Sequence, residues 1–162
     1  MRETRQHQYR LTTRWTGNLG QGTASYTAYS RDHEFTGVEK SGPIFGSSDP
    51  AFRGDPTRYN PEELLVAALS ACHMLWVLHL CADQGIVITG YEDQPEGDMI
   101  EHPDGSGHFT RVVLRPRMTI TEASRIADAA AIHGKTHRLC ALAQSVNFAV
   151  DCQPEISVAA AG

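Results

Sequence analysis

The sequence predicts an α+β fold, and three observations lead there. Segments with β-type patterning cluster in groups and do not alternate one-for-one with helices. One long apolar stretch, Leu64 to Ala82, reads as a helix, and a second helical stretch follows much later in the chain. The composition, 41% apolar and 20% charged over 162 residues, lies in the globular range and excludes disordered, collagen-like and low-complexity classes. A chain of this size buries roughly 68–70% of its unfolded surface. One domain over 1–162 is therefore expected, with a β part at about 7–45, a loop at 42–60, a central helix at 61–84 and a C-terminal βαβ part at about 86–158.

The elements follow in order. HQYRLTTRW alternates polar with apolar or aromatic residues, GNLGQG is a turn, and TASYTAYSRDHEF is a second β-type run, so the two make a hairpin with a long connection. Gly42 to Asn60 is rich in Gly, Pro, Ser and Asp without a period, and reads as a loop. The central helix opens with Asn60 as N-cap, Pro61 at its first position, and Glu62 and Glu63 complementing the positive helix end. It runs to about Gln84, where Gly85 ends it in a left-handed conformation. GIVITGYEDQ reads as a strand, EGDMIEHPDGSGHF as a turn-rich excursion and RVVLRPRMTI as another strand. Glu122 to about Ala143 is helical with an interruption at Gly134, and SVNFAVDCQ is a last short strand.

The net charge of −5 argues against nucleic acid and anionic membrane surfaces, whose footprint is clustered Lys and Arg. Leu64 to Ala82 has the length of a membrane span, 19 residues without a formal charge. It also contains Ser70, His73 and His79 and is flanked by acidic residues, so a buried helix is expected instead. A helix apolar all round needs cover on every side. A chain of 17.8 kDa cannot easily provide that, which points to a dimer. The polar start MRETRQHQYR lacks a signal-peptide core, and four scattered cysteines make no disulfide scaffold, so a cytoplasmic, reducing address is expected.

Cys72 falls mid-helix among Leu65, Ala68, Leu69, Leu75, Trp76 and His79, where a thiol by itself reads as a small core hydrophobe. Reactivity there requires a cation brought from elsewhere. Cys81 lies nine residues on, half a turn out of phase and roughly 13.5 Å along the axis. It cannot pair with Cys72 while the helix is intact, and reads as core. Cys140 is the plausible partner and Cys152 the reserve. His133, His137 and Cys140 share a helical face at ligand spacing, a weak metal signal beside the simpler reading of a polar helix end. His73 and His79 read as core or interface histidines. Arg31 reads as a strand arginine, Arg53 and Arg58 as loop arginines, and Glu62 as a dipole-favoured carboxylate.

NPEELLVAALSACHMLWVLHLCADQG, from Asn60 to Gly85, resembles the central-helix signature of the OsmC/Ohr family of thiol-dependent peroxidases. HRLCALAQSVNFAV is similar to the region of that family's second cysteine, although Ala141 and Leu142 follow Cys140 where the family often has Pro and Ser. TGNLGQG, YSRDHEF and GSSDPAFRGD look like stretches of one OsmC-like branch. The resemblance implies an OsmC-like fold, with antiparallel sheets wrapped around long central helices in an intertwined homodimer and the active site at the interface. It implies Cys72 as peroxidatic thiol, Cys140 as resolving thiol, Arg31 as the catalytic arginine and Glu62 as the carboxylate that orients it. The implied substrate is an organic hydroperoxide, favoured by apolar Leu69, Leu75 and Trp76 near the sulfur, with a small dithiol or lipoyl-type reductant and no cofactor or metal. The rival readings are an OsmC-fold protein that binds an apolar ligand with little turnover, and a His/Cys metal-binding protein.

Overall fold

The computed structural model describes residues 4–160. Contacts within the chain divide it between Leu64 and Leu65 into two compact units.

In the first unit, β1 (Thr12–Trp15), β2 (His33–Thr36) and β3 (Ile44–Gly46) form an antiparallel sheet in the order β1-β2-β3. β1 pairs with β2 from Thr12↔Thr36 to Trp15↔His33. The expected hairpin is therefore present, but most of TASYTAYSRDHEF belongs to its connection. The pairing continues past the strands through Thr16 N donating to Asp32 O (2.8 Å) and Ser30 N donating to Gly17 O (2.9 Å). The turn is held by Asn18, whose Oδ1 accepts from the amides of Gly20 and Gly22. Both glycines have positive φ (103° and 55°), which a side chain would resist. Arg31 precedes β2 and is not on a strand, because the regular ladder begins only at His33.

The segment 42–60 is more ordered than its composition suggests. It contains β3 and a 3-10 turn at Pro50–Phe52, capped by Asp49 Oδ1 accepting from Ala51 N at 2.7 Å. Ser47 is fully buried and pins the segment: its amide donates to Tyr59 O, its Oγ donates to Asp32 Oδ1, and it accepts from Asp55 N. Side-chain hydrogen bonds of this kind leave no hydrophobic period to read.

Helix α1 (Pro61–Asp83) starts with a reciprocal capping box. Asn60 Oδ1 accepts from Glu63 N (2.8 Å), and Glu63 Oε2 accepts from Asn60 N (3.0 Å). Gly85, at φ 67°, ends it as expected.

In the second unit, α1 presents a buried stripe of Leu69, His73, Val77 and Cys81, spaced by four. Around it lie β4 (Ile88–Asp93), β5 (Glu96–Glu101), β6 (Gly107–Leu114), β7 (Pro116–Ile120), α2 (Ile126–Leu139), β8 (Ala149–Cys152) and β9 (Glu155–Val158). They form two three-stranded sheets, β4-β7-β9 and β5-β6-β8. The β6–β8 and β7–β9 pairs are parallel, so these sheets are mixed where wholly antiparallel ones were expected. Leu69 packs with Val112, Leu114 and Val150, while Val77 and Cys81 pack with Met118, Ile120, Ala129 and Ile132. Each fully buried Leu or Val of this set contributes about 1.5–3 kcal/mol.

Four local expectations are corrected here. EGDMIEHPDGSGHF is a hairpin, β5 and the start of β6, because its exposed residues pair through the backbone without needing an apolar face. RVVLRPRMTI is broken at Arg115, whose amide donates to Asp93 Oδ1 (2.7 Å), and so belongs to two sheets. Gly134 does not interrupt α2, which instead stops at Leu139 with Cys140 extended (φ −70°, ψ 102°). A ninth strand, β9, follows β8 after a short connection.

α1 is not buried all round. Leu75 is 61% exposed, and Leu78 and Ala82 are also open in the single chain. The helix is long and apolar enough by length and composition to cross a membrane, yet its buried stripe carries the sheets and α2.

Candidate active site

Two thiols come together in the second unit. Cys72 is half-buried on α1, and Cys140 is buried where the chain leaves α2. Cys72 is near enough to Cys140 to act on its thiol. Burial first, and the neighbouring Cys72 second, push the Cys140 thiol up to about 11, so it keeps its proton at neutral pH. The Cys140 amide makes the last bond of α2, donating to Thr136 O (2.9 Å), and its extended conformation then turns the chain out of the helix. Cys81 is a core residue, with its thiol pushed up by burial, and all four cysteines are free.

The first unit holds the candidate cations. Arg31 donates to Tyr29 O and Tyr26 O, both at 2.8 Å, and its guanidinium stacks over the rings of Tyr26 (4.2 Å) and Tyr29 (4.3 Å). Neutral carbonyls and aromatic faces thus preorganise the fork without cancelling its charge. Glu62 lies half-buried in the first turn of α1, and among the described residues it makes no ion pair with Arg31. Arg58 is committed to Asp32 (3.7 Å) and Asp55 (3.6 Å), and Arg53 is the left-handed residue that closes the 3-10 turn.

The predicted His133, His137 and Cys140 face is not assembled. Cys140 has left the helix for Cys72, and His133 turns instead toward His73 and Cys152. His73 Nε2 lies 3.0 Å from His133 Nδ1, and the Cys152 sulfur lies 3.5 Å and 3.7 Å from those two nitrogens. The rings are stacked, with an interplanar angle of 22°. Burial lowers both histidines to about 4, with Asp93 opposing the shift at His73, and His137 and the paired ring adding to it. Burial, with Asp93, pushes Cys152 up to about 12. Cys152, the reserve partner for Cys72, therefore belongs to this cluster. Sequence reading missed it because three residues from α1, α2 and β8 share no spacing. His79 is exposed, 3.5 Å from Asp83 and edge-on to Trp76. Leu69 is wholly buried in the core and cannot line an opening beside Cys72, whereas Leu75 and Trp76 line an open cleft with His79.

The family model for OsmC-like proteins matches residues 54–155, which include α1, both thiols and the histidine cluster. The chain belongs to the OsmC-like family. A comparison with curated proteins gives no match. Among solved structures, an OsmC-like protein of unknown function from Vibrio cholerae is 28% identical with a TM-score of 0.81, covering 92% of this chain and 99% of that one. The organic hydroperoxide resistance protein of Elizabethkingia anophelis is 14% identical with a TM-score of 0.63, covering 96% of this chain and 100% of that one. The organic hydroperoxide resistance protein OhrB of Bacillus subtilis is 19% identical with a TM-score of 0.59, covering 91% and 96%. The OsmC-like fold of this chain is thus shared with proteins of peroxide resistance.

Proposed function

We propose that this OsmC-like chain is a thiol peroxidase that reduces organic hydroperoxides to alcohols. The observation that carries the reading is the approach of two free thiols, half-buried Cys72 on α1 and buried Cys140 at the end of α2. In the first step, the Cys72 thiolate attacks one oxygen of the O–O bond. Sulfur is oxidised to a sulfenic acid, and the other oxygen leaves as an alkoxide that takes a proton to become the alcohol. In the second, the Cys140 sulfur displaces hydroxide from Cys72, forming a disulfide and releasing water. A small dithiol of lipoyl type then reduces the disulfide and is itself oxidised.

Arg31 serves as the cation for the thiolate and the leaving oxygen; within the single chain the Tyr26 and Tyr29 carbonyls hold it, and Glu62 orients it only where a second copy brings the two together. Arg31 has no carboxylate already neutralising it among the described residues, in contrast to Arg58, which supports that assignment over Arg58. The exposed apolar side of α1 supports a homodimer in which a second copy covers Leu75 and Leu78. Leu75 and Trp76 then offer the apolar contact that selects organic hydroperoxides over hydrogen peroxide. Four free thiols suit a cytoplasmic setting.

The test is steady-state turnover of cumene hydroperoxide and hydrogen peroxide with dihydrolipoamide as reductant. The reading expects a higher kcat/KM with the organic oxidant and no turnover in Cys72→Ser. Turnover unaffected by that substitution rejects it.

A further inference from the structure

We propose that His73, His133 and Cys152 form a site for a zinc-class divalent cation, with three protein ligands and an open fourth position.

The three donor atoms already have the spacing that such an ion imposes. With Zn–N of about 2.0–2.1 Å and Zn–S of about 2.3 Å at tetrahedral angles, ligand nitrogens stand about 3.3 Å apart, and nitrogen and sulfur about 3.6 Å apart. The observed separations are 3.0 Å for the nitrogens and 3.5 Å and 3.7 Å for nitrogen to sulfur. All three thus match one face of a zinc tetrahedron to within a few tenths of an ångström, and small ring rotations close the difference. Imidazole and thiolate together are the donor set that zinc, cobalt(II) and nickel accept and that magnesium and calcium do not.

The donors are held on regular elements. His73 sits in the buried stripe of α1, His133 is on the buried face of α2, and Cys152 ends β8. His73 and His133 are 2% and 3% exposed, so packing fixes their rings before any ion arrives. His133 Nε2 is buried without a partner, which leaves the Nδ1 side as that ring's polar attachment. Metal binding releases the Cys152 proton to solvent, and the resulting thiolate offsets one of the two positive charges. Asp93 acts electrostatically on both His73 and Cys152, and it is held by Ser70 Oγ (2.5 Å) and Arg115 N. It supplies the second negative charge near the site.

A cavity of about 420 Å³ lined by His133, His137, Asp151 and Cys152 among others lies beside two of the donors and offers room for a fourth ligand. Three protein ligands with an open cavity is the arrangement that keeps a water or a small exogenous ligand on the ion. Neither Cys72 nor Cys140 belongs to this donor set, so the thiol pair is not needed to hold the ion.

Cobalt(II) titration of the reduced, chelator-stripped protein under anaerobic conditions tests it. One equivalent per chain should bind, with intense visible bands of a tetrahedral ion and a near-ultraviolet thiolate-to-cobalt band. Cys152→Ser should lose the charge-transfer band, while a Cys72→Ser/Cys140→Ser double variant should keep it. His133→Ala should weaken binding by more than the roughly 10- to 100-fold expected for loss of a supporting outer-shell residue. In the unaltered protein, one equivalent of zinc should protect Cys152 from alkylation, read by peptide mass mapping, which needs no variant to fold. No bound cobalt, a band that survives Cys152→Ser, or a band lost only with Cys72 and Cys140 would overturn the site.

Discussion

Cys72, in the middle of α1, stands near enough to Cys140, at the end of α2, to help burial raise the Cys140 thiol. Two residues far apart in sequence are thus brought together, and the raised Cys140 thiol sets the expected division of labour. Cys140 keeps its proton at neutral pH, which leaves Cys72 as the proposed attacking thiol. Removing Cys140 should therefore leave the first chemical step intact. In Cys140→Ser, one equivalent of hydroperoxide should produce one equivalent of alcohol and a trappable sulfenic acid on Cys72, with multiple turnover by a dithiol reduced at least tenfold. Dimedone labelling followed by peptide mapping reads this directly, and an unlabelled Cys72 would contradict it.

Arg31 is preorganised by two carbonyls and two aromatic rings, so its contribution should depend on the guanidinium fork as well as on charge. Arg31→Ala should lower kcat/KM by about 10²- to 10³-fold, the cost typical of removing one donor to a developing oxyanion. Arg31→Lys should fall between, and Arg53→Ala should stay within a few-fold of the unaltered protein.

Stability should decline on both sides of neutrality. His73 and His133 sit near 4 in the folded chain, below the unfolded value of about 6.5. Their contribution is therefore complete above about 6.5 and lost as pH falls toward 4, because the unfolded chain binds protons first. Cys140 and Cys152 are raised to about 11 and 12, so their contribution is complete below the unfolded value of about 8.5 and is lost as pH rises toward those values. Thermal midpoints of the reduced, metal-free protein should trace both limbs. A His73→Gln/His133→Gln variant should flatten the acid limb, and an unchanged acid limb would count against buried neutral rings.

The start of α1 offers a stability test independent of the chemistry. Asn60→Ala removes the acceptor for the Glu63 amide and should cost about 1 kcal/mol, with a fall in midpoint of about 2–4 °C. Asn60→Gly should cost only a few tenths. Calorimetry of the two variants checks the order.

The apolar outer side of α1 should be a dimer contact. Leu75→Asp should weaken self-association by about 2 kcal/mol or more, roughly 30-fold in dissociation constant. Sedimentation equilibrium would contradict the contact if the unaltered chain were monomeric at tens of micromolar.

What the sequence disclosed depended on whether the signal was local. The helix start at Asn60, Pro61, Glu62 and Glu63 and the stop at Gly85 were legible because capping chemistry is written within a few residues. The β5–β6 hairpin was not, since Glu96 to Glu101 is exposed throughout and its order comes from backbone pairing. The end of α2 was misplaced because Cys140 to Ala143 reads as helix-forming, whereas the helix stops at Leu139, and the break read at Gly134 is absent. That error set the wrong metal face, by keeping Cys140 on the helix with His133 and His137. His73, His133 and Cys152 were illegible as a group because only the tertiary packing of two helices and a parallel strand brings them together.

The most direct measurement is intact-mass and peptide mapping of the reduced protein after one equivalent of an organic hydroperoxide. The account predicts a single Cys72–Cys140 disulfide, a loss of two hydrogens per chain, absent in Cys72→Ser. A Cys72 that remains a free thiol would contradict the peroxidase reading, and a disulfide from Cys72 to Cys152 would contradict the pairing on which it rests.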